Sequence, residues 1–183
     1  MAGQQAPARA DDFDEFYRAT ARRTLRYAYG LTGDLGHAQD LTQEGYVRAW
    51  QRWSTVTGYD DAEAWVRMVV TRLATDRWRR LAVRRRFAEQ ARPVPPVPSP
   101  GEDTVLVTAA LRRLPLAQRR VLAMHYLLDL PVSRIAAEVG VAEGTVKSWL
   151  ARGRTTLAAL LADAAGPARH PVRAPRREER NHA

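Results

Sequence analysis

Hydrophobic residues recur along this chain at spacings of three and four, the pattern of amphipathic helices, and alternating strand patterns are absent. The first predicted helix runs from Asp12 to Leu31, and its acidic start suits a helix N-terminus. A second is predicted from a capping residue at Asp34 to Trp53. The side chains expected to face inward from these two helices are Phe13, Phe16, Tyr17, Leu25, Ala28, Leu31, Ala38, Leu41, Gly45, Ala49, Trp50 and Trp53.

A polar loop over residues 54–64 separates these helices from a third, which begins near Trp65 and ends in an arginine-rich run. Its apolar stripe contains Val66, Val69, Val70 and Leu73.

Two further periodic segments meet at Gly140. The first covers residues 131–139, and the second starts at Ala142 and continues to Leu161. Two helices joined by three or four residues around a glycine are typical of a helix-turn-helix, whose second helix can enter the major groove of DNA. The sequence therefore predicts a DNA-reading unit in the C-terminal half.

The prolines between the halves predict a linker. Residues 93–100 contain five prolines in eight positions, which excludes a helix or a central strand. We therefore expect an all-α chain of two small helical domains joined by a flexible linker, which at about 3 Å per residue spans about 50 Å. The expected segments are a disordered N-terminus at 1–10, a domain at 11–86, the linker at 87–103, a domain at 104–163 and a disordered basic tail at 164–183.

Charge is distributed unevenly along the 183 residues. The net charge is +9, but residues 1–64 carry −3, residues 65–92 carry +7 and residues 93–183 carry +5. A basic centre and C-terminal half indicate a polyanionic partner, and the acidic first part indicates a partner of another kind.

Composition argues against several classes of protein. The chain has no cysteine, which excludes disulfides and thiolate metal sites within it. Its four histidines are scattered and no Gly-rich phosphate loop is present, so neither an enzyme, a metal site nor a cofactor is expected. No apolar run is long enough for a membrane span and no secretory signal is recognisable, so we expect a cytoplasmic protein.

Three passages in order carry a family resemblance: Asp40 to Trp50 (DLTQEGYVRAW), residues 64–80 and residues 114–148. Over about residues 11–163 the chain resembles the sigma-70 family of bacterial RNA polymerase sigma factors, in its extracytoplasmic-function (ECF) group, and within that group the SigE-like proteins of actinobacteria. The passages are similar to regions 2.2, 2.3–2.4 and 4 of that family. The resemblance implies a transcription initiation factor that binds core RNA polymerase and promoter DNA, with an anti-sigma factor as a possible further partner.

The resemblance also implies roles for individual residues. Contact with the polymerase, through the β′ clamp coiled coil, is expected of Asp40, Gln43, Glu44, Arg48 and Gln51. A second polymerase contact, with the β flap, is implied for the C-terminal domain. Recognition of the −10 element, including a flipped base, is expected of Thr57, Tyr59, Asp60, Trp65, Met68, Thr71, Arg72, Arg77, Arg79 and Arg80. Contact with the −35 element is expected of Glu143, Thr145, Lys147, Ser148, Arg152 and Arg154.

Several alternatives stay open at this point. The polar face of the second helix also fits a solvated surface, and Trp65 fits core packing at least as well as base stacking. The residue that would read the flipped base is undetermined, because the loop has Ser54, Thr55 and Thr57 where the family often has asparagine. Two further departures are Ala142 at a capping position where serine is usual and Trp149 where arginine is usual. The rival functions are a conventional dimeric helix-turn-helix regulator and a protein adaptor that keeps a degenerate helix-turn-helix.

Overall fold

The computed structural model describes residues 5–87 and 102–165, and the side chains of residues 9–80 and 106–164. All regular secondary structure in these ranges is helical, which confirms the all-α prediction. The predicted linker falls almost entirely outside the described residues, as does the predicted basic tail after residue 165. The helices are α1 (Gln5–Thr32), α2 (Leu35–Gln51), α3 (Trp53–Val56), α4 (Ala62–Phe87), α5 (Glu102–Arg113), α6 (Leu116–Leu128), α7 (Val132–Val139) and α8 (Glu143–Ala165).

The N-terminal half is a bundle of α1, α2 and α4, which pack pairwise around a buried core. Gly45 lies where α2 crosses α4, and a Cβ added there would be 3.0 Å from a Val70 methyl group. The glycine therefore allows close helix contact, which explains its place on the predicted apolar stripe. The fully buried members of this core include Tyr27, Ala28, Ala38, Ala49, Val66 and Val70.

The turn between α1 and α2 follows the sequence prediction. The backbone turns at Gly33, whose φ of 61° is the left-handed conformation that favours glycine. Asp34 then caps α2, because its Oδ1 accepts a hydrogen bond of 2.9 Å from the backbone amide of His37. This bond lowers the pKa of the Asp34 carboxyl despite its partial burial.

Several local predictions for this half were wrong. The first helix starts at Gln5 rather than Asp12, so residues 5–10 are helical where disorder was predicted; a proline at position 7 is tolerated because first-turn amides have no intrahelical partner. Tyr17 and Trp50 were predicted to face inward but are 45% and 41% exposed. Trp53 is buried as expected, but it begins the separate short helix α3 instead of ending α2. The rest of α3 lies within the predicted loop over residues 54–64.

The C-terminal half contains the predicted helix-turn-helix. α7 ends at Gly140, whose φ is 76°, and the Val141 amide donates to the Ala136 carbonyl across the turn. Ile135 of α7 packs in one cluster with Val146 and Leu150 of α8, and all three are buried. The glycine and the apolar periodicity were therefore correct indicators of this unit.

The two halves pack against each other, chiefly through α1 and α6. Gly30 of α1 makes this approach possible, because an added Cβ would lie 2.7 Å from Leu127 Cδ1 and 3.1 Å from Ala123 Cβ. The described helices include none that is long and apolar enough to cross a membrane.

Candidate nucleic-acid and protein-binding surfaces

One candidate surface is the polar face of α2. Its five sequence-predicted residues are all exposed, and they share this helix because they recur at spacings of three and four. Arg48 Nε donates to Glu44 Oε1 at 2.7 Å, so the face pairs its charges internally. A surface with carboxylates, amides and an arginine can form charge-assisted bonds to a complementary protein. The residues brought together are Asp40, Gln43, Glu44, Arg48 and Gln51.

An apolar groove adjoins this face between α1 and α2. The exposed Trp50 and Val47 line it beside Gln43 and Tyr17, and the groove volume is about 550 Å³. The Trp50 ring is held in place by Phe13, whose ring centroid is 5.1 Å away. Exposed aromatic and aliphatic side chains beside polar ones are typical of a protein-binding surface. Sequence periodicity missed this groove because Trp50 lies at the edge of the buried stripe.

The segment before α4 presents polar and aromatic groups to solvent. Thr57, Tyr59 and Asp60 are exposed, and Tyr59 is exposed by 50%. Asp61 instead caps α4, because its Oδ1 accepts from the Ala64 amide at 2.8 Å. Burial raises the pKa of Asp61, but this bond and the nearby Arg134 and Arg67 outweigh it, so the pKa is lowered overall.

The outer face of α4 carries a row of exposed arginines. Arg77 is close enough to hydrogen-bond Nε2 of His37, which ties the row to α2. Because these guanidinium groups project into solvent, they are available to bind phosphates. The sequence-predicted members of this row are Arg72, Arg77, Arg79 and Arg80.

The inner face of α4 differs from its outer face. Thr71 is only 9% exposed, its hydroxyl donates to the Arg67 carbonyl at 2.8 Å, and it shares a hydrogen bond with the buried Tyr27 hydroxyl. Burial raises the pKa of Tyr27. Trp65 and Met68 are half-buried, and Trp65 packs on the hydrophobic core. Thr71 is therefore not accessible to DNA in this arrangement, and its predicted role stays a prediction.

The recognition helix α8 places most of its predicted residues in solvent. Glu143, Lys147 and Arg152 are exposed, and Thr145 and Ser148 are half-buried. Arg152 Nη2 donates to Ser148 Oγ at 2.7 Å, so these two side chains act as one polar group. Hydroxyl and guanidinium donors on a helix that follows a tight turn suit contact with base edges and phosphates.

Arg154 lies apart from this polar pair. Its Nη1 donates to the Tyr126 hydroxyl of α6 at 3.3 Å, beside an apolar groove between α5, α6 and α8. The groove is lined by Val107, Leu111, Leu122, Ala123, Tyr126, Leu127, Arg154, Leu157, Ala158 and Leu161.

The structure also shows where the two departures from the family pattern lie. Ala142 occupies the N-cap position of α8 without a capping side chain, and Trp149 packs on the core.

Sequence reasoning missed two buried arginines. Arg119 is 0% exposed and Arg67 is 1% exposed, and each binds groups from the other half of the molecule. Burial, with a smaller contribution from the Arg112 charge, lowers the pKa of Arg119 to about 10, so it stays protonated at neutral pH. Burial also acts to lower the pKa of Arg67, but Glu138 outweighs it and the pKa is raised. No sequence signal separates these arginines from the exposed ones.

Within the part of the chain that the structure describes, no group of three or more histidines or carboxylates is arranged to hold a metal ion.

Comparison with known proteins places this two-part helical chain in a class. The family description "Sigma-70 region 2" matches residues 16–84, and "Sigma-70, region 4" matches residues 104–157. The chain belongs to the sigma-70 family of RNA polymerase sigma factors, as the resemblance indicated.

Individual relatives narrow the class to the extracytoplasmic-function group. The RNA polymerase sigma-E factor of Streptomyces coelicolor is 33% identical over 149 residues, covering 80% of this chain and 84% of the relative. The ECF RNA polymerase sigma factor SigL of Mycobacterium tuberculosis is 33% identical over 152 residues, covering 79% and 86%. The sigma factor RpoE of Bartonella quintana, solved in complex with the anti-sigma factor NepR, shares the fold with a TM-score of 0.68, at 21% identity over 82% of this chain and 96% of that one.

Proposed function

We propose that this protein is a promoter-specificity subunit that docks on core RNA polymerase through α2 and contacts two promoter elements through α4 and α8. The observation that carries the proposal is the set of separate exposed surfaces on one chain of the sigma-70 family. The α2 surface is mixed polar and apolar, the outer face of α4 is cationic, and the exposed side of α8 is polar. The functional units are assigned to residues 11–86 and 104–163, with residues 87–103 as the connection.

The α2 face is assigned to the β′ clamp coiled coil of the polymerase. Its exposed carboxylates and amides are supported by the adjoining Trp50 and Val47, which supply apolar area that a solvated helix face does not need. This combination favours protein docking over the solvated-surface alternative.

The segment over residues 57–60 and the outer face of α4 are assigned to the −10 element. Exposed Tyr59 offers an aromatic ring on which an unpaired base can stack. The arginine row on α4 offers positive charge for the DNA strand that carries this base. Arg72, Arg79 and Arg80 would hold the phosphate backbone, while the segment before α4 would hold the base.

The recognition helix α8 is assigned to the −35 element. Ser148 and Arg152 form the polar centre of its exposed surface, flanked by Lys147 and Glu143. The apolar groove of α5, α6 and α8 faces away from this centre and is assigned to the β flap of the polymerase. An anti-sigma factor is a further candidate partner of the chain, since the structurally similar RpoE was solved with one.

The conventional dimeric regulator is the less favoured alternative, because a regulator of that kind would leave the sigma-70 region 2 at residues 16–84 without a role. As a polymerase subunit the protein would act in the cytoplasm and contribute binding rather than catalysis, without a cofactor.

Run-off transcription with purified core polymerase tests the proposal. The protein is added to core enzyme on a library of upstream fragments, with core enzyme alone as the reference. We expect initiation that depends on the protein, and loss of core binding with a Gln43→Ala/Glu44→Ala double variant or with Trp50→Ala. Glu15→Ala, an exposed change elsewhere on α1, is the matched control and should leave initiation intact.

Arg152→Ala separates docking from promoter reading. It should retain core binding but lose initiation at promoters with a −35 element, whereas Thr156→Ala on the same helix should behave as wild type. Absence of core binding, together with autonomous binding to a palindromic duplex, would refute the proposal and support the conventional regulator.

A further inference from the structure

The first turns of α1 lie against the end of α2. Arg9 Nη2 donates to the Trp50 carbonyl oxygen at 3.1 Å, although the two residues are 41 positions apart in the chain. Trp50 is the next-to-last residue of α2, and the last four carbonyls of a helix lack amide partners within it. Because these carbonyls carry partial negative charge, a cationic donor suits them. Arg9 therefore caps α2 from a neighbouring helix.

The same arginine covers the Trp50 side chain. Arg9 Cζ lies 5.5 Å from the centroid of the Trp50 ring, within the range of a cation–π contact. Phe13, one turn further along α1, has its ring centroid 5.1 Å from that of Trp50. Residues four apart share one face of a helix, so Arg9 and Phe13 hold the indole together. Trp50 is thus fixed although it is exposed.

This part of α1 also forms one wall of the apolar groove between α1 and α2. Three of the four α1 residues in the groove precede residue 16, where the match to sigma-70 region 2 begins. Most of that wall is therefore supplied by a segment that the family description does not include. The groove residues from α1 are Ala10, Phe13, Asp14 and Tyr17, and those from α2 are Gln43, Tyr46, Val47 and Trp50.

An exposed tryptophan is a better anchor for a partner when its orientation is set before binding. A side chain that becomes immobile only in the complex loses rotamer entropy at that moment, and this loss weakens binding. Tryptophan is also enriched among the residues that contribute most to protein interfaces. Both contacts described above to the Trp50 ring come from α1, so its orientation depends on a helix other than its own.

We infer that Arg9 is a positioning residue of the polymerase-docking surface, and that it fixes Trp50 in the orientation that the β′ clamp binds. The inference rests on the proposed function, in which the α2 face and its adjoining groove dock on core polymerase. Arg9 acts through the Trp50 ring rather than by contact with the polymerase. The docking surface thereby extends from region 2 onto the preceding turns of α1.

Four variants separate positioning from direct contact. Arg9→Ala removes the guanidinium group, whereas Arg9→Lys keeps a cation and a hydrogen-bond donor. Trp50→Ala removes the ring, both alone and in a double variant with Arg9→Ala. The matched control is Arg22→Ala, which removes an exposed arginine elsewhere on α1. Far-ultraviolet circular dichroism should show the same helix content in every variant, so that a change in binding is distinguished from unfolding.

Fluorine NMR of the protein labelled with 5-fluorotryptophan tests the positioning without polymerase. The chain has five tryptophans, and the Trp50 resonance is the signal that Trp50→Ala removes. We expect Arg9→Ala to move this resonance more than the other four and to narrow it, because the ring gains motion. Arg9→Lys and Arg22→Ala should leave it near its wild-type position. An unchanged Trp50 resonance in Arg9→Ala would overturn the inference, whatever the binding to polymerase.

Calorimetric titration of purified core polymerase then tests whether the positioning contributes to docking. Arg9→Ala should raise Kd by about fivefold to tenfold, because a cation–π contact and a hydrogen bond to Trp50 are lost. Arg9→Lys and the Arg22→Ala control should stay within about twofold of wild type. The double variant should bind no more weakly than Trp50→Ala alone, because an effect that passes through the ring disappears with the ring.

Two binding results would contradict this role. Losses that add up in the double variant would show that Arg9 contacts the polymerase itself. Wild-type affinity in Arg9→Ala, with a shifted Trp50 resonance, would show that docking does not use the orientation of this ring. Failure of wild type and every variant to bind core enzyme would instead overturn the proposed function, and the docking role of Arg9 with it.

Discussion

The arginines on the two sides of α4 differ in burial and therefore in what they can bind. Arg79 on the outer side is exposed, whereas Arg67 on the inner side is buried among three carboxylates. Arg119 of α6 extends the inner set, since it is fully buried against carbonyl groups and Trp78. The net charge of +9 therefore overstates the charge available to a polyanion, because part of it is used to join the two halves.

The largest expected effect is a loss of stability on substitution of a buried arginine. Arg119→Ala should lower the free energy of unfolding by about 3 kcal/mol or more, because three carbonyls lose charge-assisted hydrogen bonds and a large volume is emptied. Urea denaturation followed by circular dichroism measures the change. The same substitution at exposed Arg79 should stay within about 0.5 kcal/mol of wild type. Equal losses at the two positions would remove the distinction between the sets.

The exposed arginines on the outer face of α4 should instead control the salt dependence of DNA binding. Arg79→Ala and Arg80→Ala should each reduce the slope of log K against log salt concentration by about 1, because each removes one phosphate contact. Fluorescence anisotropy with labelled promoter DNA across a salt series, in the presence of core polymerase, measures the slope. An unchanged slope in both variants would show that the row does not face phosphates.

Asp34 contributes to both a helix cap and the junction between the halves, since its Oδ2 also lies 3.5 Å from Arg112 Nη2. Asp34→Ala should cost about 1 kcal/mol of unfolding free energy, mainly from the lost cap. Its pKa is lowered in the folded protein, so the charged form stabilises the fold above about pH 4 and this contribution is lost as the pH falls through the folded pKa.

Thermal melts from pH 7 to pH 2.5 check this assignment. Asp34→Asn keeps a capping oxygen but cannot ionise, so its stability should fall less than that of wild type below about pH 4. Parallel losses in wild type and Asp34→Asn would show that other carboxyl groups account for the acid sensitivity.

The smallest effect is expected at the start of α8. Ala142 holds the N-cap position without a side-chain acceptor, so Ala142→Ser should raise the free energy of unfolding by about 0.5–1 kcal/mol. Melting of the full chain measures this gain, and Ala142→Val should give none. A gain with valine as large as that with serine would point to packing rather than capping.

The sequence by itself determined the local helices and the residues that share an exposed helix face, while the binding roles of these residues stay predictions. Periodicity, a capping aspartate at Asp34 and a glycine at Gly140 were sufficient for most of the helices and for the helix-turn-helix, because such signals act over a few residues. The α2 face was predicted correctly as a shared helix surface for the same reason. The resemblance to the sigma-70 family was also carried by local passages, and family matches over both halves confirmed it.

Only the tertiary structure decided which side chains became buried at the edges of these elements. Trp50 and Tyr17 are exposed although each lies on a helical stripe, because none of the described helices covers that side of α1 and α2. Thr71, Arg67 and Arg119 are buried because groups distant in sequence close over them. A single sequence carries no periodic signal for pairings such as Arg67 with Glu138, 71 residues apart, so the contact between the halves emerges only when the chain is folded.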